Sequence, residues 1–195
     1  MRLDTYRCNI YRVIVSRTLK REIRQTKAFG SPEQELFLEI QRTADVLMRG
    51  LEELLKSSGL TQTQFNALRI LRGAGPAGLT CREVAERMVT HDPDVTRLLD
   101  RLESRQLIAR SRSEGDRRVI RVCITAAGLE VLAALDQPVL ELHRSQLGHL
   151  GNERVRRMIN LLEETRSSLL EEDGRNVREH ASSGRVDSWN AKGSS

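Results

Sequence analysis

Residues 80–125 read TCREVAERMVTHDPDVTRLLDRLESRQLIARSRSEGDRRVIRVCIT, and this stretch decides the fold. Thr80 and Glu83 have the spacing of a capping box, in which each side chain satisfies the other residue's amide, so a helix starts here. Val84, Ala85 and Met88 give that helix a short apolar face, and Val89-Thr90-His91 breaks the pattern. Asp92-Pro93 restarts a helix, because Asp caps and Pro is tolerated at the first helical position. In this second helix Val95, Leu98, Leu99 and Leu102 recur at three- and four-residue spacing, while Asp94, Thr96, Arg97, Asp100 and Arg101 take the opposite face. Two short helices, the second with an arginine-bearing outer face, describe a helix-turn-helix.

Two extended runs follow, from Leu107 to Arg112 and from Val119 to Ile124, the second rich in β-branched residues. Ser113 to Arg118 forms the turn between them and ends on two adjacent arginines. A β-ribbon placed directly after a recognition helix makes the unit a winged helix-turn-helix. The fold class expected is therefore mainly α, with the small ribbon as its α+β element.

The run DPDVTRLLDRLESRQLIARS, the wing EGDRR and the exit ITAAG together resemble the MarR family of bacterial transcription regulators. In that family a D-x-R core marks the wing, here Asp116, Arg117 and Arg118, and an L/I-T-x-x-G step opens the next helix, here Ile124 to Gly128. In element order the resemblance extends from about residue 33 to 170, and its specific motifs lie between residues 79 and 128. It implies a homodimer built from the long first helix and the last two helices. It also implies double-stranded DNA as partner and a small effector between dimer and DNA lobes. The sequence departs from the family pattern at two places. Gln106 stands where a glycine usually ends the recognition helix in the left-handed conformation, a position that strains any side chain. Asp94 replaces a small polar residue; an acid there suits the helix dipole but repels phosphate.

Outside this stretch the chain reads as long helix or polar segment. Residues 1–30 hold eight Lys/Arg (2, 7, 12, 17, 20, 21, 24, 27) against two acids (4, 22), a net of +6. The whole chain sums to +5, so the remaining residues sum to −1 and total charge says little about a DNA-reading surface. The basic segment reads as a flexible N-terminal arm, and no apolar core of a signal peptide or membrane span is present. Ser31-Pro32-Glu33-Gln34 starts a long helix with a capping box, and Leu36, Ile40, Ala44, Leu47, Leu51 and Leu54 carry its stripe to Gly59. Thr61 to Gln64 starts another, bearing Phe65, Leu68 and Leu71 and ending at Gly73. After Thr125, Leu129, Leu132, Leu135, Val139 and Leu142 form a stripe that Pro138 is expected to kink. Asn152 caps a last helix with Val155, Met158, Ile159, Leu162 and Leu169. The expected layout is an arm over 1–30, a domain over 31–172 and a disordered tail over 173–195. Within the domain the winged unit spans 60–125, and dimerisation helices span 31–58 and 126–172.

Several features of chemical interest carry less. Residues 73–78, GAGPAG, fit the glycine pattern of a dinucleotide loop, but a helix precedes them and Pro76 removes an amide donor, so they read as a plain loop. Cys8, Cys81 and Cys123 are odd in number and contain no C-x-x-C pair, which points to a reduced, cytoplasmic chain without a zinc site. By the resemblance to a family some of whose members sense oxidation through a thiol near the first helix, Cys8 beside Arg7 is a redox-sensing alternative to a bystander. The four histidines, at 91, 143, 149 and 180, are too scattered for a metal or catalytic pair, and no nucleophile–base arrangement nominates an enzyme. No cofactor and no metal are expected.

The DNA-binding candidates are Thr80, Pro93, Asp94, Thr96, Arg97, Arg101, Arg112, Arg117 and Arg118, with Asp116 structuring the wing. Arg97 sits near the start of the recognition helix, where bidentate contact to guanine is available. Its competing role is a surface ion pair with Asp94 or Asp100, each three residues away. Thr96 reaches a phosphate or thymine methyl, and Arg101 a phosphate. By the resemblance, Arg118 enters the minor groove, where narrow A·T tracts concentrate negative potential; otherwise it and Asp116 belong to a solvated hairpin tip. The expected function is a sequence-specific, ligand-responsive repressor acting as a homodimer on a palindromic operator. The alternative is a winged helix used for protein–protein contact without DNA binding.

Overall fold

The computed structural model describes residues 19–90, 94–112 and 118–182, with side chains as far as residue 171 in the last helix. The chain divides into two compact units, one ending at Leu142 and the other beginning at His143. Pro93, Asp116, Arg117, Cys8 and His91 lie outside the described residues.

The first unit opens with a helical turn, Leu19–Glu22, in which Leu19 is buried and Glu22 accepts a bond from Arg42 Nε at 3.3 Å. Within the segment read as an arm over 1–30, Leu19 is therefore buried and Glu22 is tied to Arg42. Helix α1, Pro32–Leu55, is capped by the Ser31 hydroxyl, which accepts from the Gln34 amide at 3.3 Å. The reciprocal half of the expected box falls one residue early: Gln34 Oε1 accepts from the Gly30 amide at 2.6 Å. Only the end of α1 joins the core, through Leu51, Leu54 and Leu55. Further back Leu36, Phe37, Ile40, Val46 and Met48 are exposed.

A turn at Lys56–Ser58 leads to α2, Gln62–Ala74, whose start carries the full capping box of Thr61 and Gln64. Gln64 is buried, and its Oε1 is satisfied by the Thr61 amide at 3.1 Å, so the box lets a polar side chain sit inside the core edge. Phe65, Leu68 and Leu71 face the core as their spacing predicts. Residues 75–77 form a 3-10 turn, in line with a structural loop. Gly78 follows at φ 61°, and a Cβ there would overlap Cys123 Sγ and lie 2.7 Å from the Val122 carbonyl oxygen. The glycine therefore lets Leu79 pair with Val122, donating at 3.0 Å and accepting at 2.7 Å.

Helix α3, Cys81–Arg87, and helix α4, Val95–Ser104, form the helix-turn-helix. Val84 of α3 and Val95, Leu98, Leu99 and Leu102 of α4 are buried together with α2. Truncating a fully buried leucine such as Leu99 to alanine costs about 2–5 kcal/mol in comparable cores. Strands β1, Ile108–Arg112, and β2, Ile120–Ile124, pair antiparallel with Ile108 opposite Ile124 and Arg112 opposite Ile120. Helix α5, Ala126–Leu147, contains Pro138 and buries Leu132, Leu135 and Val139.

The second unit contains a turn at Gly148–Leu150 and helix α6, Gly151–Ser182. Asn152 lies within the first turn of α6 and not at its cap, since the chain enters through Gly151 at φ 73°. The helix continues past the expected boundary at Asp173, so residues 174–182 are helical and not irregular. Met158, Ile159, Leu161, Leu162, Leu169 and Leu170 are exposed along it. No helix among the described residues is long and apolar enough to cross a membrane.

Candidate nucleic-acid interface

The outer face of α4 is held in place from beneath, from its start and from its end. Beneath it, the four apolar side chains fix its roll, so Thr96, Arg97, Asp100 and Arg101 point outward and are exposed. At its start Asp94 is the cap, accepting from the Arg97 amide at 3.1 Å. This corrects the start read at Asp92-Pro93: Asp94 lies at the cap position and not on the helix face, because its carboxylate is the one that reaches the first-turn amide. At its end Gln106 adopts φ 60°. The Gln106 amide donates to Glu103 O at 2.8 Å and the Leu107 amide to Leu102 O at 3.0 Å, the two bonds of a Schellman cap. The left-handed residue is thus retained although it is not glycine.

The exit motif ITAAG is explained by the same corner. The Thr125 hydroxyl donates to the Gln106 carbonyl at 2.7 Å and accepts from the Gly128 amide at 3.1 Å, capping α5 while gripping the end of α4. A Cβ on Gly128 would overlap the Leu107 carbonyl oxygen, so only glycine lets α5 start against β1.

Arg97 is 79% exposed and pairs with Asp94 at 3.2 Å, the local ion pair that the spacing permits. Such a pair between exposed groups stabilises by at most about 1 kcal/mol, and it leaves the guanidinium on the outer face. Arg97 and Arg101 line a cleft of about 170 Å³ with Thr61, Thr63 and Gln64 from the start of α2. Thr96 is exposed, its hydroxyl 3.7 Å from Cys81 Sγ. Arg112 and Arg118 are exposed at the far end of the ribbon. Thr80 is differently placed: its hydroxyl donates to Glu83 Oε2 at 2.9 Å and accepts from the Glu83 amide at 3.2 Å, so the cap employs both functions. The Thr80 amide, then the Thr80 hydroxyl and then Arg121 hold the Glu83 carboxyl below its ordinary range.

Two arginines outside the sequence-derived set brace this surface. Arg105, at the end of α4, donates to the carbonyls of Gly59 at 2.7 Å and Ser58 at 2.8 Å, tying the helix to the α1–α2 turn. No spacing in the sequence links residue 105 to that turn. Arg110 of β1 donates to Asp100 at 2.6 Å and to Glu103 at 2.6 Å. Burial works against its charge, but the two carboxylates outweigh it and raise the guanidinium's pKa. The two-residue alternation of β1 signals it, since Arg110 shares a face with buried Ile108. Among the described residues no group of histidine, cysteine and carboxylate side chains is arranged to hold a metal.

The MarR family model matches residues 60–120, the span from α2 to the first residue of β2. A crystal structure of a MarR transcription factor from Planctomyces limnophilus is 40% identical, with a TM-score of 0.54, over 70% of this chain and 98% of that one. Mutant MarR from E. coli complexed with operator DNA is 27% identical, with a TM-score of 0.61, over 67% of this chain and 92% of that one. The HTH-type transcriptional repressor MdtR of Bacillus subtilis is 35% identical over 98 residues, which are 48% of this chain and 62% of that protein. The chain therefore spans less than two thirds of that curated relative's length.

Proposed function

Because this chain belongs to the MarR family, we propose that it is a sequence-specific, double-stranded-DNA-binding transcription regulator, a homodimeric repressor of a palindromic operator. One observation carries the reading. Helix α4 buries Val95, Leu98, Leu99 and Leu102 and turns Thr96, Arg97 and Arg101 outward, the division a helix needs in order to enter a major groove while anchored behind. The solved operator complex of E. coli MarR supports the same use of this unit. Arg97 reads base edges, Arg101 and Thr96 hold phosphate, and Arg112 with Arg118 places the wing against the minor groove. The protein works by binding and not by turnover, in the cytoplasm where the chromosome is.

What supports the homodimer is apolar surface that each unit leaves open: Leu36, Phe37 and Ile40 on α1, and Met158, Ile159 and Leu162 on α6. Two copies would set their recognition helices about 34 Å apart, one DNA turn. An effector fits a cleft of about 300 Å³ lined by Leu54, Ser57 and Ser58 at the end of α1 and by Val131, Ala134, Leu135 and Pro138 of α5. Occupying it changes the packing beside the turn that Arg105 grips.

Selection of bound fragments from genomic DNA, followed by titration at several salt concentrations, tests this reading. A palindromic site whose affinity falls steeply with salt is expected. A chain that enriches no sequence and binds duplex without salt dependence would instead be a protein–protein winged helix. Light scattering of the intact chain should give a dimer, and a well-behaved monomer would overturn the assembly.

A further inference from the structure

From its cap to its last turn α4 carries Arg97 and Arg101 against Asp94, Asp100 and Glu103, two cations against three carboxylates. A helix of that balance laid between two phosphate strands is repelled as much as attracted, because charges within a Debye length of about 10 Å act on one another at ordinary salt. Asp94 is spoken for locally, as cap and as partner of Arg97. The other two carboxylates stand three residues apart, side by side on the helix surface. One guanidinium spans both: Arg110 Nη2 meets Asp100 Oδ1 and Arg110 Nη1 meets Glu103 Oε2, each at 2.6 Å. The Arg110 side chain is 27% exposed, against 54% for Asp100 and 39% for Glu103. The cation thus lies on the protein side of the carboxylates, where solvent screens it least.

We propose that Arg110 sets the DNA affinity of the recognition helix without touching DNA, by neutralising Asp100 and Glu103 so that Arg97 and Arg101 dominate the field at its outer face. The proposal rests on the reading of α4 as the DNA-facing helix. Counting Arg110 with residues 94–104 brings the balance to three arginines against three carboxylates, the third arginine coming from a neighbouring strand. The fork also ties β1 to α4, so a purely mechanical role is the rival explanation, and the two roles predict opposite results once the carboxylates are removed.

The test measures fluorescence anisotropy of a short labelled mixed-sequence duplex at low salt, with the full chain and with variants checked for fold by circular dichroism. Arg110→Gln should weaken binding about tenfold, since two carboxylates are then uncovered beside the phosphates. Arg110→Lys, which keeps the charge but loses the fork, should retain most of the affinity. The triple variant Arg110→Gln, Asp100→Asn, Glu103→Gln should return to within about threefold of the parent. The double variant Asp100→Asn, Glu103→Gln, with Arg110 in place, should bind more tightly than the parent and with a steeper salt dependence. A triple variant as weak as Arg110→Gln, or a double variant weaker than the parent, would overturn the proposal in favour of the mechanical role. Should Arg110→Gln fail to fold, the double and triple variants decide. A parent chain that binds no duplex defeats the DNA reading and the proposal with it, whereas failed rescue in a parent that binds leaves the DNA reading standing.

Discussion

Gln106 and Thr125 meet where the recognition helix hands over to the wing, the Thr125 hydroxyl donating to the Gln106 carbonyl at 2.7 Å while Gln106 holds φ at 60°. That carbonyl is turned toward Thr125 by the left-handed backbone at the end of α4. One hydrogen bond therefore couples the end of α4 to the start of α5, across the two strands that form the wing.

The strain at Gln106 is removable. Gln106→Gly should raise stability by about 0.5–1 kcal/mol, the left-handed penalty minus the extra entropy glycine brings to the unfolded chain. Calorimetry should register this as an increase in Tm of a few degrees. A lower Tm would mean that the Gln side chain makes contacts worth more than its backbone conformation costs.

At the other side of the bond, Thr125→Val removes both the donor to Gln106 and the cap of Gly128, at an expected cost of about 1–2 kcal/mol. Gly128→Ala should cost more, because backbone and not a flexible side chain blocks the added methyl. Urea titrations of the two variants check the ranking, and the reverse order would show that α5 can slide away from β1 cheaply.

The two arginine elements should separate by specificity. Arg97→Ala should cost about 1–3 kcal/mol on the operator and relax preference at one position per half-site. Arg118→Ala should weaken operator and scrambled duplex alike and flatten the salt dependence by about one unit per wing contact. Titrations of both variants on both duplexes would show the assignment to be inverted if Arg97→Ala loses the two equally while Arg118→Ala alters base preference.

Acid should destabilise the winged unit through a link between α2 and α5. Arg72 donates to both Asp136 oxygens, at 2.8 and 2.9 Å, and this holds the Asp136 carboxyl below its ordinary range. A carboxyl depressed in the folded state contributes stability that is present above its unfolded pKa and is lost as pH falls through the folded value. Melting temperatures should therefore be flat near neutrality and fall below the usual carboxylate range, and Asp136→Asn should flatten that fall. Equal acid sensitivity in parent and variant would remove Arg72–Asp136 from the explanation.

Much of the winged unit was legible in advance because its signals are local. The boxes at Thr61–Gln64 and Thr80–Glu83 and the buried stripe Val95, Leu98, Leu99 and Leu102 all depend on residues within one or two turns. The left-handed residue at 106 was expected only through the family resemblance, since a glutamine by itself does not signal that backbone. The start of α4 was harder, since Asp92 and Asp94 flank Pro93 and either can cap. The reach of Gln34 to Gly30 and not to Ser31 is a choice between adjacent amides that composition does not rank. The extent of α6 was underestimated because its last turns lack an apolar stripe, although its polar residues permit helix.

The sequence by itself determined the order of elements, the faces of α2 and α4 and the surplus of apolar surface on α1 and α6. Each follows from the periods of helix and strand, which act over a few residues. Tertiary structure alone decided which distant charges meet: Arg110 with Asp100 and Glu103, Arg72 with Asp136, and Arg105 with the carbonyls of Ser58 and Gly59. A long side chain with several rotamers can reach any acid or carbonyl that packing brings near, and packing of strand on helix is set by the core beneath and not by the charges themselves.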